Sequence, residues 1–273
     1  MLIIGLTGSI ATGKSTVSSL LSQEPYTLPL IDADILARKV VEPGTNGYNK
    51  IVSYFGSTTP DLLLPASQVG ENGPDGKGRP LNRPALGRRV FGDSAERKRD
   101  RQVLNGIVHP AVRWGMLKAM LRYYVQGNWA VVVDVPLLFE SRLDMFCGTA
   151  MVVAVRDPDI QMRRLRARDP HLSAEDAKNR VLSQVDVREK ARRAEARGDG
   201  RGVVLWNDGE KEELKLEVGK VMRRIKEDSP RWWSWLLLAM PPLAGLAASY
   251  AVARGWMSAR NWEMEQQRER AKL

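Results

Sequence analysis

Apolar runs and amphipathic stretches alternate along most of the chain. Leu2-Ile3-Ile4-Gly5-Leu6-Thr7 is a nearly continuous apolar run, which predicts a strand buried on both faces. Thr16-Val17-Ser18-Ser19-Leu20-Leu21 reads as the opening of a helix, and Leu28-Pro29-Leu30-Ile31 as a second strand running into Asp32-Ala33-Asp34. Trp129–Asp134, Ala150–Val155 and Gly202–Trp206 are three further apolar runs of strand length. Between them, 35–55 predicts two helical pieces broken at Glu42-Pro43-Gly44. Ala111–Gln126 predicts a long amphipathic helix, 158–197 a helical stretch dense in arginine, and Lys211–Lys226 a last soluble helix. Strands alternating with helices, without an internal repeat, predict an α/β fold: a five-stranded parallel sheet with helices on both faces.

Two segments depart from this rhythm. Residues 56–84 are rich in Gly, Pro, Ser and Asp, which predicts a surface insertion with little fixed structure. From Trp232 to Ala253, 22 residues carry no formal charge. As a helix they would span about 33 Å, close to the ~30 Å hydrocarbon core of a bilayer. Trp232, Trp233 and Trp235 mark one end, and Trp256 and Trp262 lie near the other, as interfacial belts do. Pro241-Pro242 would kink such a helix without preventing insertion. The expectation is a hydrophobic C-terminal transmembrane helix over 232–253, with a lipid bilayer as partner. The alternative is a hairpin of two short apolar helices, packed on the domain or dipped into one leaflet. Ser229-Pro230 divides a domain, 1–228, from a tail, 229–273.

Formal net charge of +10 and a pI near 9.9 point to anionic partners: nucleotides, polyphosphates, nucleic acid or anionic lipid. A basic solvated surface explains much of the same excess. Cys147 is the single cysteine, which excludes an intrachain disulfide framework and a cysteine zinc cluster and suits a reducing compartment. The sequence opens on its first strand without a basic n-region, so secretion or matrix import through a presequence is not expected.

Gly8-Ser9-Ile10-Ala11-Thr12-Gly13-Lys14-Ser15 fits G-x-x-x-x-G-K-[ST] between a predicted strand and a predicted helix starting near Thr16. Backbone amides of such a loop close around phosphate oxygens, helped by the field of the helix N-terminus. Lys14 would reach the β/γ-phosphates of ATP and Ser15 would hold Mg²⁺. Asp134 ends the run Val131-Val132-Val133-Asp134 as a Walker-B carboxylate does, and would orient the Mg²⁺ shell. A GTPase reading ranks well below a kinase reading, because neither D-x-x-G after Asp134 nor N-K-x-D anywhere is present. A catalytic part that uses ATP is expected to face the cytosol.

Asp32 and Asp34 follow the second strand, on the edge where open α/β sheets collect ligands. Either carboxylate can accept a proton from an acceptor hydroxyl, and either can cap a helix. His109-Pro110 reads as the first turn of the following helix or as a substrate contact. Arg163, Arg164, Arg166, Arg168, Arg180, Arg188, Arg192, Arg193 and Arg197 suit the arginine lid of a phosphotransferase, although helical geometry aims most of them at solvent. Without aromatic residues between 156 and 205 to stack on bases, nucleic acid is not the expected partner.

Seven blocks together resemble the dephospho-CoA kinase family: IGLTGSIATGKSTVS (4–18), IDADILARKVVEPGTNGY (31–48), LNRPALGRRVF (81–91), LNGIVHPAVR (104–113), VVDVPLLFE (132–140), RDPDIQMRRLRARD (156–169) and NRVLSQ (179–184). Ser9-Ile10-Ala11-Thr12 resembles a fungal variant of the loop. The resemblance implies a P-loop NTPase fold of nucleoside-monophosphate-kinase type, with a helical substrate-binding region over about 35–128 and a lid over about 158–197. It also implies transfer of the γ-phosphoryl of ATP to the ribose 3′-hydroxyl of dephospho-CoA. By motif, Asp34 would be the general base, Lys14 the phosphate clamp, Ser15 a Mg²⁺ ligand, and His109 a residue of the substrate region. Arg164 and Arg168 would lie at the lid, with Arg164 on the phosphates and Arg168 towards the substrate. Gly8, Ser9, Ile10, Ala11, Thr12, Gly13, Lys14, Ser15, Thr16 and Asn207 would line ATP. The family's Ala-Asp-x-Val-Ile-x-Asn-x-Gly segment reads Arg201–Gly209 here, keeping Asn207 and Gly209 but not the Asp. Association with the preceding enzyme of coenzyme A synthesis stays open. Two other readings remain: a nucleoside or nucleotide kinase of the same fold, and a membrane-bound, non-catalytic nucleotide-binding protein.

Overall fold

The computed structural model describes residues 1–182, 186–229 and 231–271; Ser183 and Gln184 of the NRVLSQ block, and Pro230 of the expected boundary, lie outside the described residues. In chain order the elements are β1 (Leu2–Gly8), α1 (Lys14–Ser22), β2 (Leu30–Asp32), α2 (Ala33–Lys39), α3 (Asn46–Phe55), α4 (Ala66–Val69), α5 (Arg83–Val90) and α6 (Ala95–Val125). There follow β3 (Ala130–Asp134), a 3-10 turn (Leu143–Phe146), β4 (Thr149–Ala154), α7 (Pro158–Arg168), α8 (Ala174–Leu182), α9 (Val187–Glu195), β5 (Gly202–Trp206), α10 (Lys211–Asp228), α11 (Arg231–Ala239) and α12 (Pro241–Arg270). The chain divides into two compact units, Met1–Ile31 with Arg122–Leu273, and Asp32–Leu121.

The first unit is built on a five-stranded sheet in the order β2-β3-β1-β4-β5, with β1 parallel to β3 and β4, and β4 parallel to β5. Every residue of β3 and β4 is buried, which is why their sequences read as unbroken apolar runs rather than alternating ones. On one face, Ile4, Leu6, Val132, Met151, Val153 and Leu205 pack with Val17 and Leu21 of α1. Leu214, Val218, Met222 and Ile225 join them as a helical stripe on α10. The opposite face leaves no room at Gly5, where a Cβ would come within 2.7 Å of the Cys147 Sγ. Because the chain leaves β1 towards β2 on one side and later returns to β4 on the other, the carboxyl ends of β3, β1 and β4 surround a topological switch point, where such sheets bind ligands.

The second unit holds its own core of Tyr48, Ile51, Phe55, Leu62, Leu81, Leu86 and Val90. Two expectations need correcting here. Residues 56–84 are more ordered than their composition predicts: Leu63 bridges Leu81, the Leu64 amide bonds the Pro80 carbonyl at 2.9 Å, and the Tyr48 hydroxyl donates to the Arg79 carbonyl at 2.7 Å. Burial of Leu62 and Leu81 supplies the organising force that the Gly/Pro content conceals. Second, His109-Pro110 does not start a helix at Ala111; α6 runs through Pro110 without interruption. The ring crowds the carbonyl four residues earlier, that of Gly106, where a Cβ would stand in open space. Leu104, Ile107 and Val108 meanwhile anchor that turn against the core.

The tail overturns a third expectation: the single spanning helix over 232–253 does not form. α11 and α12 meet at a bend of 117°, and no single helix among the described residues is long and apolar enough to cross a membrane. Pro241 has no N–H to extend the helical ladder and pushes the preceding residue out of helical space; Met240 sits at φ −126°, ψ 80°. Both helices pack on the first unit. The Tyr124 hydroxyl donates to the Leu237 carbonyl at 2.6 Å, and the Arg142 guanidinium pairs with Glu263 at 2.8 Å. Gly255 and Ala259 are buried, and a Cβ on Gly255 would strike the Met145 carbonyl.

Candidate active site

β1 delivers the chain into the loop Gly8–Gly13. A Cβ on Gly8 would lie 2.7 Å from the Val153 carbonyl of β4, so the strands close only around glycine. Ala11 and Gly13 both adopt positive φ, 59° and 96°, and turn successive peptides about a concave backbone, the geometry of an anion nest. α1 then begins at Lys14 with Gly13 as an N-cap lacking any side-chain oxygen. The amides of Thr16 and Val17 bond the Gly13 carbonyl at 3.0 and 3.1 Å. The amides of Lys14 and Ser15 precede that first bonded turn and have no partner within the helix, which leaves them for an anion.

Residues from far along the chain hold the loop from outside. The Asn207 amide donates to the Thr12 carbonyl at 2.8 Å, and the Gln161 amide to the Ile10 carbonyl at 2.6 Å. The Thr12 hydroxyl donates to the Ser9 carbonyl at 2.9 Å. Lys14 reaches the Asp134 carboxylate, which is only 4% exposed at the end of β3. Beyond Asp134, the Pro136 carbonyl accepts bonds of 2.9 Å from both the Thr7 hydroxyl and the buried Lys190 ammonium, which also pairs with Glu140 at 3.0 Å. On α7, Arg164 spreads its guanidinium over the carbonyls of Asn207 and Gly209 at 2.7 and 2.8 Å. Arg156 pairs with Asp208 at 2.8 Å and lies over the Trp206 ring. A cavity of about 310 Å³ opens beside α7, lined by Ile160, Arg163, Arg164, Ala167 and Asp208.

A phosphate nest, a lysine and a buried carboxylate on one sheet edge form a nucleotide phosphate site. The family model for dephospho-CoA kinase matches residues 2–212. The chain belongs to that family. It is 42% identical over 252 residues to the dephospho-CoA kinase CAB5 of Saccharomyces cerevisiae, covering 92% of this chain and 93% of that protein. It is 45% identical over 192 residues to a dephospho-CoA kinase of Listeria monocytogenes, covering 70% of this chain and 84% of that one. Among solved structures, a Thermus thermophilus protein superposes with a TM-score of 0.61 at 29% identity, over 81% of this chain and 96% of its own. Dephospho-CoA kinase from Campylobacter jejuni superposes with a TM-score of 0.50 at 24% identity, over 82% and 96%, and supports the P-loop kinase fold.

Within this family member, the residues singled out from sequence fall into three groups. Gly8 to Thr16, Asp134, Asn207 and Arg164 are brought together in the first unit. Arg168, on the last turn of α7, is exposed and pairs with Asp169 at 3.3 Å. Asp32, Asp34 and His109 belong to the second unit. There Asp32 is the N-cap of α2: its carboxylate accepts from the amides of Asp34 and Ile35 at 2.8 and 2.9 Å. The Asp34 carboxylate is exposed in the first turn of α2. His109 is exposed on α6. Gln161 and Lys190 carry no local sequence signal, because both lie in arginine-rich helical stretches. Their burial, 4% and 3% exposed, is what sets them apart.

Proposed function

We propose that the chain transfers the γ-phosphoryl group of ATP to the ribose 3′-hydroxyl of dephospho-CoA, completing coenzyme A. The family match over residues 2–212 carries this reading. The P-loop amides and Lys14 bind and orient the triphosphate, and their fixed positive potential stabilises charge as it shifts towards the leaving oxygen. Asp34 takes the proton from the 3′-hydroxyl. Arg164 and Arg168 serve the lid, and His109 the acceptor. Ser15 and Asp134 would hold Mg²⁺: one hydroxyl and one carboxylate suit an ion that keeps most of its waters and takes phosphate oxygens. Among the described residues no cluster of three or more His, Cys, Asp or Glu offers a dedicated cage. Bound there, Mg²⁺ neutralises phosphate charge. The test is an ATP-dependent assay with dephospho-CoA, nucleosides and nucleoside monophosphates, with the phosphorylated position read by NMR. Preference for a nucleoside or nucleotide would sink the acceptor assignment, and ATP binding without any product would sink catalysis.

For the tail, we propose association with the headgroup region of one anionic leaflet, with the catalytic part on the cytosolic side. Trp232, Trp235, Leu246 and Tyr250 are between 60% and 70% exposed, and aromatic and aliphatic residues of this kind seat in a headgroup layer. Residues 229–262 carry three arginines and no carboxylate, which suits anionic lipid. Flotation with phosphatidylcholine vesicles, with and without phosphatidylserine, tests this. Co-flotation with the anionic vesicles is expected. Protein that stays unbound to both, or that buries these residues by forming dimers, refutes it.

A further inference from the structure

We propose that Gln161 and Asn207 are positioning residues for phosphoryl transfer, each fixing one peptide plane of the P-loop from outside. This rests on the P-loop being the ATP site. A trans peptide is planar, so its N–H points opposite to its carbonyl. The Gln161 amide bonds the Ile10 carbonyl at 2.6 Å and thereby turns the Ala11 N–H the other way. The Asn207 amide bonds the Thr12 carbonyl at 2.8 Å and does the same for the Gly13 N–H. Ala11 and Gly13 are the two residues of the loop at positive φ. For Ala11 that conformation is intrinsically unfavourable and must be held by its surroundings. At Gly13 the Asn207 amide occupies the place a Cβ would need, so glycine and asparagine interlock.

Both braces lead back to α7. Gln161 lies on it, and Arg164, one turn further on, grips the carbonyls of Asn207 and Gly209 at 2.7 and 2.8 Å. Helix α7 therefore holds the phosphate loop twice, directly through Gln161 and indirectly through Arg164 and Asn207. On this account Asn207 serves ATP through the loop it braces and not by reading the base.

The experiment uses the full-length protein and two titrants, ATP and inorganic tripolyphosphate, with KM measured for each substrate. Q161M keeps the side-chain length but removes the donor; N207A removes the other brace. Each is expected to weaken ATP and tripolyphosphate binding by the same factor, about tenfold, with KM for dephospho-CoA within about twofold of wild type. Q161E adds a pH readout, because a carboxyl donates only when protonated. Its ATP affinity relative to Q161M is expected to rise as pH falls from about 8 to about 5.5. Unchanged tripolyphosphate affinity in Q161M and N207A would overturn the proposal. So would a loss confined to ATP, which would make Asn207 a base reader, or a loss of thermal stability with both KM values unchanged. A wild-type chain that binds both titrants yet leaves dephospho-CoA unphosphorylated would refute the proposed reaction and leave this test intact.

Discussion

The loop between β1 and α1 and the break between α11 and α12 both interrupt apolar runs, and the chain uses them in opposite ways. At the first, glycine and an alanine at positive φ turn carbonyls outward, and partners 151 and 195 residues away in sequence come to meet them. At the second, the nearby bonds are local: the Met240 amide bonds Leu236, and the Ala244 amide bonds the Met240 carbonyl, each four residues away. A glycine break leaves carbonyls that need distant partners and N–H groups that need a ligand, and so becomes a site. A proline break removes the N–H itself and only redirects the chain. The same apolar patterning that announces both segments is silent about which kind of break each contains; the residues at the break decide.

The contrast is broken most directly at Lys14. Lys14→Ala removes the cation beside Asp134 at the mouth of the nest and is expected to lower kcat/KM by about a thousandfold. Near-normal turnover would show that the loop is a turn and nothing more. Asp34→Asn tests the acceptor side. The expected result is about a hundredfold lower kcat with ATP affinity within about twofold of wild type. A collapse of ATP affinity would instead make Asp34 a structural or metal-holding residue. Asp32 is the comparison, because one of its carboxylate oxygens already accepts both cap bonds of α2.

How much of this was legible follows from the range of the interactions. β1, β3 and β4 stand out in sequence because strands buried between helices need apolar residues at consecutive positions, and the P-loop stands out because its glycines, lysine and serine all fall within eight residues. The braces do not: nothing near Gln161 or Asn207 announces a carbonyl more than 150 positions away. The path of α6 through Pro110 was hidden for a related reason. The local rule at proline was right about the cost, but packing by Leu104, Ile107 and Val108 outweighs it. In 56–84 the two residues that matter, Leu62 and Leu81, are scattered among turn formers. For the tail, the 22-residue apolar run does not show that Pro241 divides it between two helices, neither of which is long and apolar enough to cross a membrane.

The 3-10 turn on which α12 docks supplies the acid of a buried ion pair, and it offers the next test. Asp144 and Arg197 are each 2% exposed at their side chains and meet at 3.0 Å; Arg197 also donates to the Cys147 carbonyl at 2.9 Å. Burial raises the Asp144 pKa against the pull of Arg193 and Arg197. Arg197→Met, which strands the carboxylate, is expected to cost about 3 kcal/mol in a denaturant melt. The sign of its pH dependence is fixed. An acid with a raised folded pKa favours the native state below its unfolded pKa and loses that contribution as pH rises through the folded value. Removing the arginine raises that pKa further, so the deficit against wild type should be largest near neutral pH and shrink towards about pH 4. A deficit independent of pH would mean the loss is packing, not charge. The Cys147 thiol, pushed up to about 12 by burial, should be alkylated slowly in wild type; loss of Arg197 raises the thiol further, so faster alkylation in the variant would report opening of this region rather than a change in charge.

The smallest expected effect separates proline from anchorage at the tail's bend. In P241A/P242A both residues can donate N–H groups, so α11 and α12 gain the option of one straight helix. If proline alone imposes the bend, they take it, and the Tyr124–Leu237 bond and the seat of Gly255 on Met145 cannot both survive. Those two contacts fix the helices independently on either side of Met240, one through a hydroxyl to a backbone carbonyl and one through a close approach that only glycine permits. Straightening would forfeit at least one of them and expose Ala259. The bend is therefore expected to persist, with turnover within about twofold of wild type and stability changed by less than about 1 kcal/mol. Hydrogen exchange at Leu237 and Gly255 reads the outcome residue by residue. Protection kept at both sites means the two helices are held by the fold. Protection lost at either would make the proline pair the device that keeps the tail on the domain.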